Sequence, residues 1–414
     1  MTRFTQIFIL FFVSIVNTYS QNDLIGFQFA KNRRTVHIPF QFHANLIIVP
    51  LKINDSDTLH FILDTGLGAT LLTDPSVVRF LKPTINRQVT VKGIGSGENL
   101  AAGLSINNLI TIGDAVGYQQ NITVLKDGTL DLWSYVGTKI HGIIGYEFFS
   151  PFVVSIDFEN KIITLQKPEH YSYKKRKGEK FQIIIEKNKP YLNDIVITNG
   201  KSTSKIKAII DSGAGHAFLL ETSSNIIFDL PPVMVPSSLG MGLNGSINGH
   251  LGRLEKIQIG NTILSSVITS FPDSTSIKSS TPKRNIFRGN IGGEFLKRFK
   301  VTFNYHDKYI VLKPIKHQIK QAFEYNMSGI ELVAKGENFT DFIIESVTPN
   351  SPAYHAGLQK GDLILYIDNK ASQELKASEI YNLLQKKDGE QINMIVNREG
   401  ASRIFVSFVL KKLI

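Results

Sequence analysis

Two short stretches decide the fold: "FILDTGLGATLL", residues 61–72, and "AIIDSGAGHAFLL", residues 208–220. In each, a run of β-forming residues ends at an aspartate, Asp64 or Asp211, which is followed by a hydroxyl residue and a glycine. A carboxylate at the end of a buried strand is costly to bury unless a partner satisfies it. The sequence therefore has to supply a use or a partner for both acids.

The two stretches belong to a longer internal repeat with a constant offset of 147 residues (211 − 64 = 147). At the same offset "GIG" (93–95) recurs as "GMG" (240–242), and the segment 142–165 recurs as 289–312. Collinear blocks at one offset indicate two homologous lobes, about residues 37–168 and 181–315. Alternating apolar runs separated by Gly, Asn and Asp turns predict that each lobe is mostly β-strand, with a short helix at "YEFF" and at "GEFLKRF".

The repeat gives each aspartate a partner. A pseudo-twofold axis between the lobes would bring Asp64 and Asp211 face to face. Two carboxylates a few ångströms apart cannot both ionise easily, so they share a proton and one serves as acid while the other serves as base. Such a pair can activate a water for attack on a peptide carbonyl. Four residues are expected to support the pair. Thr65 and Ser212 supply hydroxyls for cross-lobe hydrogen bonds, and Gly66 and Gly213 allow the tight turn.

These motifs resemble those of the retropepsin-like and pepsin-like aspartic proteases. The Asp-Thr/Ser-Gly loops are followed by "IIG" (143–145) and "NIG" (290–292), as in that family, over about residues 40–315. The nearest likeness is to bacterial secreted members with two lobes and a PDZ domain in one chain. The resemblance implies a mainly β, two-lobed pseudo-twofold fold with barrel-like lobes, in which the second glycine-bearing strand packs beside each aspartate loop. It also implies an aspartic endopeptidase that needs no cofactor.

Each lobe has a glycine-rich hairpin that is a candidate flap over the site. The first, "GIGSGENLAAG" (93–103), lacks the tyrosine usual in pepsin-like flaps and is more similar to retropepsins. The second is "GMGLNGSINGHLG" (240–252), and the sequence leaves open which of the two closes over substrate. The candidate flap residues are Gly93, Ile94, Gly95, Gly240, Met241 and Gly242.

Three other interpretations of the two aspartates and of the chain fit parts of the sequence. Each aspartate taken alone could simply cap a turn, since Asp-Gly turns are common, but the paired repeat favours the catalytic reading. A metal site is disfavoured because His141 recurs as Arg288 under the repeat. A non-catalytic peptide-binding or scaffold protein that kept the fold remains the alternative function.

The composition changes from about residue 321, where "VTPNSPAYHAGLQKGDLILYIDN" (347–369) resembles the bacterial PDZ pattern. The likeness implies that "SGIEL" (328–332) forms a carboxylate-binding loop and a peptide-pairing strand, opposite a helix at 377–387. An extended peptide would add to this sheet edge, so we expect the α+β module to recruit or position substrate while chemistry stays in the lobes. The candidate peptide-binding residues are Gly329, Ile330, Leu332, Ile380 and Leu384.

Composition and charge bound the remaining possibilities. The chain of 414 residues is 42% hydrophobic and 20% charged, as in globular proteins, and it has no cysteine for disulfides or thiolate chemistry. Its formal charge of +11 is partly concentrated in "KKRKGEK" (174–180) and near Lys313 to Lys320, without a nucleic-acid motif. Nucleic acid is therefore not expected as a partner, while contact with a membrane or envelope surface stays open. The resemblance implies peptide or protein substrates as partners. One chain is expected to suffice as the catalytic unit.

The first twenty residues have the order of a cleavable secretory signal, with an uncleaved anchor as the alternative. This predicts export to a bacterial periplasm, cell envelope or extracellular space. The predicted domains are a signal peptide at 1–20, lobes at 21–170 and 171–320, and a PDZ domain at 321–414.

Overall fold

The computed structural model describes residues 25–31, 33–126, 130, 132–222, 228–276, 288–336, 338–399 and 403–414. The predicted export signal lies outside these residues. No described helix has the length and apolar character needed to cross a membrane.

The first lobe is built almost entirely from strands, with three short helices. Its elements are β1 Gly26–Phe29, β2 Thr35–Pro39, β3 Gln41–His43, β4 Leu46–Ile53, β5 Leu59–Leu63, β6 Thr70–Leu72, α1 Pro75–Leu81, β7 Arg87–Val91, β8 Leu100–Ile112, β9 Ala115–Leu125, α2 Leu132–Val136, β10 Gly142–Ile144, α3 Tyr146–Phe149, β11 Val153–Asp157 and β12 Ile162–Gln166. Two 3₁₀ turns, Pro168–His170 and Lys175–Lys177, lead into the second lobe.

The second lobe repeats this order. Its elements are β13 Glu179–Glu186, β14 Lys189–Asn199, β15 Ser202–Ile210, β16 Phe218–Glu221, β17 Met234–Gly242, β18 Gly245–Ile259, β19 Thr262–Pro272, β20 Arg288–Ile291, α4 Gly293–Leu296, β21 Phe299–Asn304, β22 Tyr309–Pro314 and α5 Lys316–Lys320. Adding 147 to the bounds of β5 and β9 gives 206–210 and 262–272, which fall within β15 and on β19. The two predicted short helices are confirmed as α3 and α4.

A parallel strand pair supports each aspartate. Strand β10 runs parallel to β5, with Ile144 opposite Leu63, and β20 runs parallel to β15, with Ile291 opposite Ile210. The glycine-bearing strand therefore packs beside the aspartate loop in both lobes, as the resemblance implied. Strand β10 is buried at all three residues and is an uninterrupted apolar run in the sequence, whereas β15 and β20 also carry polar residues.

The lobes meet in one continuous sheet in the order β13, β22, β21, β11, β12, β2. At its centre β11 pairs antiparallel with β21, which places Ser155 opposite Thr302. The hydroxyl oxygens of these two residues, 302 − 155 = 147 positions apart, lie 2.8 Å from each other. The pseudo-twofold axis passes here, and one hydrophobic core extends across both lobes. The predicted mainly β, two-lobed fold with barrel-like lobes is confirmed.

The C-terminal module has its own hydrophobic core, which runs from Met327 to Leu410. Its elements are β23 Ile330–Lys335, β24 Asp341–Val347, α6 Pro352–His355, β25 Leu363–Ile367, β26 Lys370–Ala371, a 3₁₀ turn at Ser372–Glu374, α7 Ala377–Leu384, β27 Gln391–Asn397 and β28 Ile404–Val409. Ser351 caps α6 by accepting a hydrogen bond from the Tyr354 N–H, which explains the "SPAY" signal in the sequence.

Candidate active site

The ends of β5 and β15 hold the two aspartates in equivalent positions. The Asp64 N–H donates to the Ile144 carbonyl at 2.9 Å, and the Asp211 N–H donates to the Ile291 carbonyl at 2.9 Å. Each aspartate is thereby tied to the glycine-bearing strand of its own lobe. The tie fixes where each side chain leaves the sheet.

Thr65 and Ser212 exchange hydrogen bonds across the lobe interface. The Thr65 N–H donates to Ser212 Oγ at 3.0 Å, and the Ser212 N–H donates to Thr65 Oγ1 at 2.9 Å. Each hydroxyl then donates to a carbonyl of the opposite lobe, Thr65 Oγ1 to Ile210 at 2.6 Å and Ser212 Oγ to Leu63 at 2.7 Å. Both side chains are almost fully buried. This reciprocal network is the cross-lobe link that the sequence predicted for these two hydroxyls.

Gly66 and Gly213 let the two loops approach closely. A Cβ on Gly66 would lie 2.6 Å from Asp211 Oδ1, and a Cβ on Gly213 would lie 2.1 Å from the Asp64 carboxyl carbon. Each glycine also donates its N–H to the aspartate of its own loop, at 2.6 Å in the first lobe and 3.1 Å in the second. Each carboxyl therefore lies against the opposite loop, and the two aspartates face each other.

The surroundings favour a neutral Asp64. Burial raises the pKa of Asp64 well above its usual range, and the charge of Asp211 and a hydrogen bond with it raise that pKa further. The Gly66 N–H and the Lys189 charge oppose the shift but are weaker. A carboxyl pair that retains one proton is what acid–base chemistry on a bound carbonyl needs.

Asn290 and His216 were not among the predicted site residues, yet Asn290 contacts Asp211 and His216 contacts Asn290. Asn290 Nδ2 donates to Asp211 Oδ2 at 2.6 Å, and Asn290 Oδ1 lies 3.1 Å from His216 Nε2. The signal in the sequence was the asparagine of "NIG" at 290, where the first lobe has Ile143.

The tips of both hairpins meet above the site. The sequence alone leaves open which of the two hairpins closes over substrate. The Asn244 N–H donates to the Ile94 carbonyl and the Gly93 N–H donates to Asn244 Oδ1, both at 3.0 Å. The Gly97 N–H donates to the Asn244 carbonyl at 2.6 Å. A Cβ on Gly242 would lie 2.1 Å from the Ile94 carbonyl oxygen. The two tips therefore interlock, and neither hairpin covers the cavity by itself.

One cavity of about 2110 Å³ joins these parts. The two aspartates, the hairpin tips and residues of the PDZ domain all line it. The predicted site residues in its lining are Asp64, Gly66, Gly93, Ile94, Asp211, Gly213, Gly240, Met241, Gly242, Gly329, Ile330 and Leu332. Those outside its lining are Thr65, Gly95, Ser212, Ile380 and Leu384.

The PDZ groove differs from its expected form. Ile380 and Leu384 are fully buried in the PDZ core, so they are core residues and not groove residues as predicted. The correct face of α7 for the groove carries Tyr381, whose hydroxyl accepts from the Leu332 N–H at 3.3 Å and lies 3.4 Å from the Leu332 carbonyl. A helix only two turns long presents core and groove side chains one position apart, and periodicity cannot separate them.

The expected carboxylate-binding loop already has internal partners. The Ser328 N–H donates to Asn326 Oδ1 at 3.0 Å, and the Ile330 N–H donates to Ser328 Oγ at 3.1 Å. Gly329 between them has φ 80°. A peptide carboxylate would therefore have to displace these side-chain oxygens before it could accept from the loop.

The PDZ domain is fastened to both lobes. Ser237 of β17, the strand that leads to the second hairpin tip, donates to Glu331 Oε1 at 2.9 Å. Trp133 of α2 makes an edge-to-face ring contact with Phe339, with ring centres 6.0 Å apart. The guanidinium of Arg298, which is 1% exposed, donates to the carbonyls that lead into the PDZ domain, at residues 318, 321 and 322.

No cluster of three or more His, Asp or Glu side chains suited to a metal ion occurs in the described parts of the chain. The basic stretch is partly engaged within the protein, since Lys177 lies 3.9 Å from the Tyr171 ring centre and Lys180 lies 4.0 Å from that of Tyr309.

Comparisons with known proteins agree with this architecture. Residues 49–148 match the family model of an aspartyl protease, and residues 343–398 match that of a PDZ domain. A curated relative, the chloroplastic C-terminal processing peptidase of Tetradesmus obliquus, is 29% identical over 73 residues, which is 18% of this chain. The matched stretch spans 16% of that relative. The chain thus carries an aspartyl protease domain and a C-terminal PDZ domain, the architecture that its sequence resembles.

Proposed function

We propose that the protein is an aspartic-type endopeptidase in which Asp64 and Asp211 activate a water for attack on a peptide bond. The observation that carries the proposal is the reciprocal placement of the two carboxyls, each lying against the glycine of the opposite loop. A chain that used the fold only as a scaffold would have no chemical need for two facing carboxyls in a cleft. The aspartyl protease match covers the first lobe and supports the same conclusion.

The chemistry requires one proton shared by the pair. The ionised carboxylate takes a proton from water as the oxygen of that water bonds to the peptide carbonyl carbon. The neutral carboxyl gives its proton to the carbonyl oxygen, and a tetrahedral diol forms. Collapse of the diol breaks the C–N bond: one hydroxyl returns its proton to the carboxylate that donated it, and the carboxyl that gained a proton from water protonates the leaving nitrogen.

The PDZ domain supports peptide or protein as the substrate class, since PDZ domains bind peptides. Its groove lines the same cavity as the aspartates, so we propose that it positions the substrate beside the scissile bond. Both aspartates belong to one chain, and the proposed catalytic unit is a monomer without a cofactor. Export of the protein, proposed from residues 1–20, is tested by N-terminal sequencing of the mature chain.

Digestion of a peptide library by the purified chain over a pH series tests the reaction class. We expect endoproteolytic cleavage that a statine-type transition-state analogue abolishes and that chelators and serine-directed reagents leave unchanged. An absence of cleavage at every pH, together with retained peptide binding, would favour the alternative of a non-catalytic peptide-binding protein.

A further inference from the structure

The two halves of the catalytic pair have different neighbours, although the lobes repeat each other. Asn290 contacts Asp211 and His216 contacts Asn290, and subtraction of 147 places Ile143 and Ala69 at the equivalent positions of the first lobe. Neither aliphatic side chain can donate a hydrogen bond. Asp211 therefore accepts a hydrogen bond from a side-chain amide. The first lobe has no donor at the equivalent position.

The order of donors in this chain of hydrogen bonds is fixed by chemistry. Asn290 Nδ2 lies 2.6 Å from Asp211 Oδ2, so the amide donates and the carboxylate accepts. The other end of the amide, Asn290 Oδ1, can only accept, so His216 Nε2, 3.1 Å away, must carry a hydrogen. Burial lowers the pKa of His216, against the opposing effect of the Asp211 charge. A neutral imidazole with its hydrogen on Nε2 thus orients the amide toward the carboxylate.

The Asn290–His216 pair adds a side-chain donor to Asp211 alone, whereas Gly66 and Gly213 each give one backbone N–H to the aspartate of their own loop. A hydrogen bond to the ionised form of a carboxyl favours that form, whereas burial without such a donor favours the neutral form. Asn290 is 9% exposed, so its bond to Asp211 lies away from bulk water, where such bonds are stronger.

We infer that Asn290, oriented by His216, places the shared proton on Asp64, so that Asp211 is the base and Asp64 is the acid. The inference rests on the proposed function and adds two positioning residues and a division of roles. Asp211 takes the proton of the attacking water, and Asp64 gives its proton to the carbonyl oxygen. After the diol forms, Asp211 holds the proton that the leaving nitrogen receives and Asp64 recovers its own.

Other groups also act on the pair and have to stay constant in the test. Burial and, after it, the aspartate charges raise the pKa of Tyr305 and of Tyr191, and the Lys189 charge opposes the effect of burial on the pKa of Asp64. None of the substitutions below changes these three side chains.

The direct test is a titration that does not need turnover. In protein with ¹³C-labelled aspartate carboxyls, the Asp64 and Asp211 signals are assigned from Asp64→Asn and Asp211→Asn variants. Asn290→Leu, which keeps the shape of the side chain and removes the donor, is expected to raise the lower apparent pKa of the pair by roughly half to one pH unit. An unchanged titration in folded Asn290→Leu overturns the inference.

Two histidine variants separate positioning from packing. His216→Leu is expected to move the titration in the same direction by a smaller amount, while His216→Gln, which keeps a donor, is expected to restore it. The matched control is His306→Leu, at an exposed histidine hydrogen-bonded to Asp307, and it should leave the titration unchanged. If Asn290→Leu does not fold, His216→Leu and His216→Gln decide, and equal titrations in these two variants count against the inference.

Kinetics supply a second measurement, which would not change if Asn290 had only a structural role. In Asn290→Leu the acidic limb of the kcat/KM profile should shift to higher pH by the same amount, so the loss of activity is small at the optimum and grows to about three- to tenfold on the acidic limb. KM should stay within about twofold, since the side chain that contacts the carboxylate is changed and the hairpin tips are not. An equal loss at every pH would contradict the inference. A wild-type protein without activity contradicts the proposed function instead, and the NMR titration still decides the placement of the proton.

Discussion

Ser212 shows how one hydroxyl can link two lobes. Its oxygen accepts from the Thr65 N–H and donates to the Leu63 carbonyl in a site that is 1% exposed. We expect Ser212→Ala to lower the free energy of unfolding by about 2–3 kcal/mol, because a buried N–H and carbonyl lose their partner. Urea unfolding measures the effect. Ser155→Ala, which removes a single hydroxyl pair from the same lobe interface, is the control and should cost less.

Glu147 is a half-buried acid, with its Oε2 atom fully buried, and its counterpart in the repeat is satisfied. Glu294 lies 3.2 Å from the Arg298 guanidinium, whereas Glu147 Oε2 has no hydrogen-bond partner among the described residues. Burial raises the pKa of Glu147 from 4.5 to about 7. Between these values the folded state holds a proton that the unfolded chain has released, so stability falls as the pH rises from about 4.5 to about 7.

Glu147→Gln should remove this loss of stability with rising pH. We expect the variant to be more stable than wild type at pH 8 by about 2–3 kcal/mol and to differ little from it at pH 4. Denaturant unfolding at the two pH values measures the difference. Glu294→Gln is the matched comparison and should destabilise at pH 8, because it leaves the buried Arg298 without its carboxylate. Equal changes at both pH values in Glu147→Gln would show that its charge is not the cause.

The sequence predicted some site residues and missed others for a physical reason. The repeat exposes residues that are alike in both lobes, so the equivalence of Thr65 and Ser212 was readable from the offset alone. Asn290 and His216 break the repeat, and their hydrogen bonds to each other and to Asp211 form only after the chain has folded. Differences between repeat copies, and not only identities, therefore carry functional information.

At the scale of elements, the contacts between the two hairpins could not be predicted from the sequence. The glycine-rich turns predicted both hairpins, but contacts between residues 93–97 and 244–246 join segments about 150 positions apart and leave no local pattern. The same limit explains why the groove and core residues of α7 were not distinguished.

Asn244 is the residue that joins the hairpin tips. Its side chain accepts from the Gly93 N–H, and its backbone bonds to residues 94 and 97. We expect Asn244→Ala to speed hydrogen exchange of the Gly93 amide by roughly fivefold, because a net bond of about 1 kcal/mol is lost. Hydrogen exchange monitored by NMR measures this without substrate. Amides in β5 serve as the internal control, and an unchanged Gly93 rate would mean that the side chain does not hold the tips.

At the scale of the whole molecule, the PDZ domain is part of the cleft wall. It lines the cavity with the aspartates, and Glu331 bonds to Ser237 on the strand of the second hairpin. The sequence alone predicts that this module recruits or positions substrate while chemistry stays in the lobes, which would leave hydrolysis of short peptides independent of it. The shared cavity predicts instead that hydrolysis of short peptides also depends on this module.

Removal of residues 321–414 should therefore lower kcat/KM for short peptides as well as for proteins, by about tenfold or more, because a wall of the cleft is lost. The milder variant Ser237→Ala keeps the domain and removes its bond to the hairpin strand, and it should raise KM for short peptides. Thr203→Ala, at an exposed hydroxyl pair of the same lobe, is the control. Unchanged short-peptide kinetics in a folded truncation would restore the division between recruitment and chemistry.

The central claim is that one chain supplies both members of the catalytic pair. The measurement that tests it most directly is peptide hydrolysis by Asp64→Asn and Asp211→Asn, separately and mixed, over a dilution series. Each single variant should fold and lose hydrolysis by a factor of about 10⁴ or more, since the two carboxyls act as a unit. The mixture should remain inactive, and wild-type activity per molecule should not change on dilution. Normal hydrolysis by either folded variant, or activity regained on mixing, would contradict the claim.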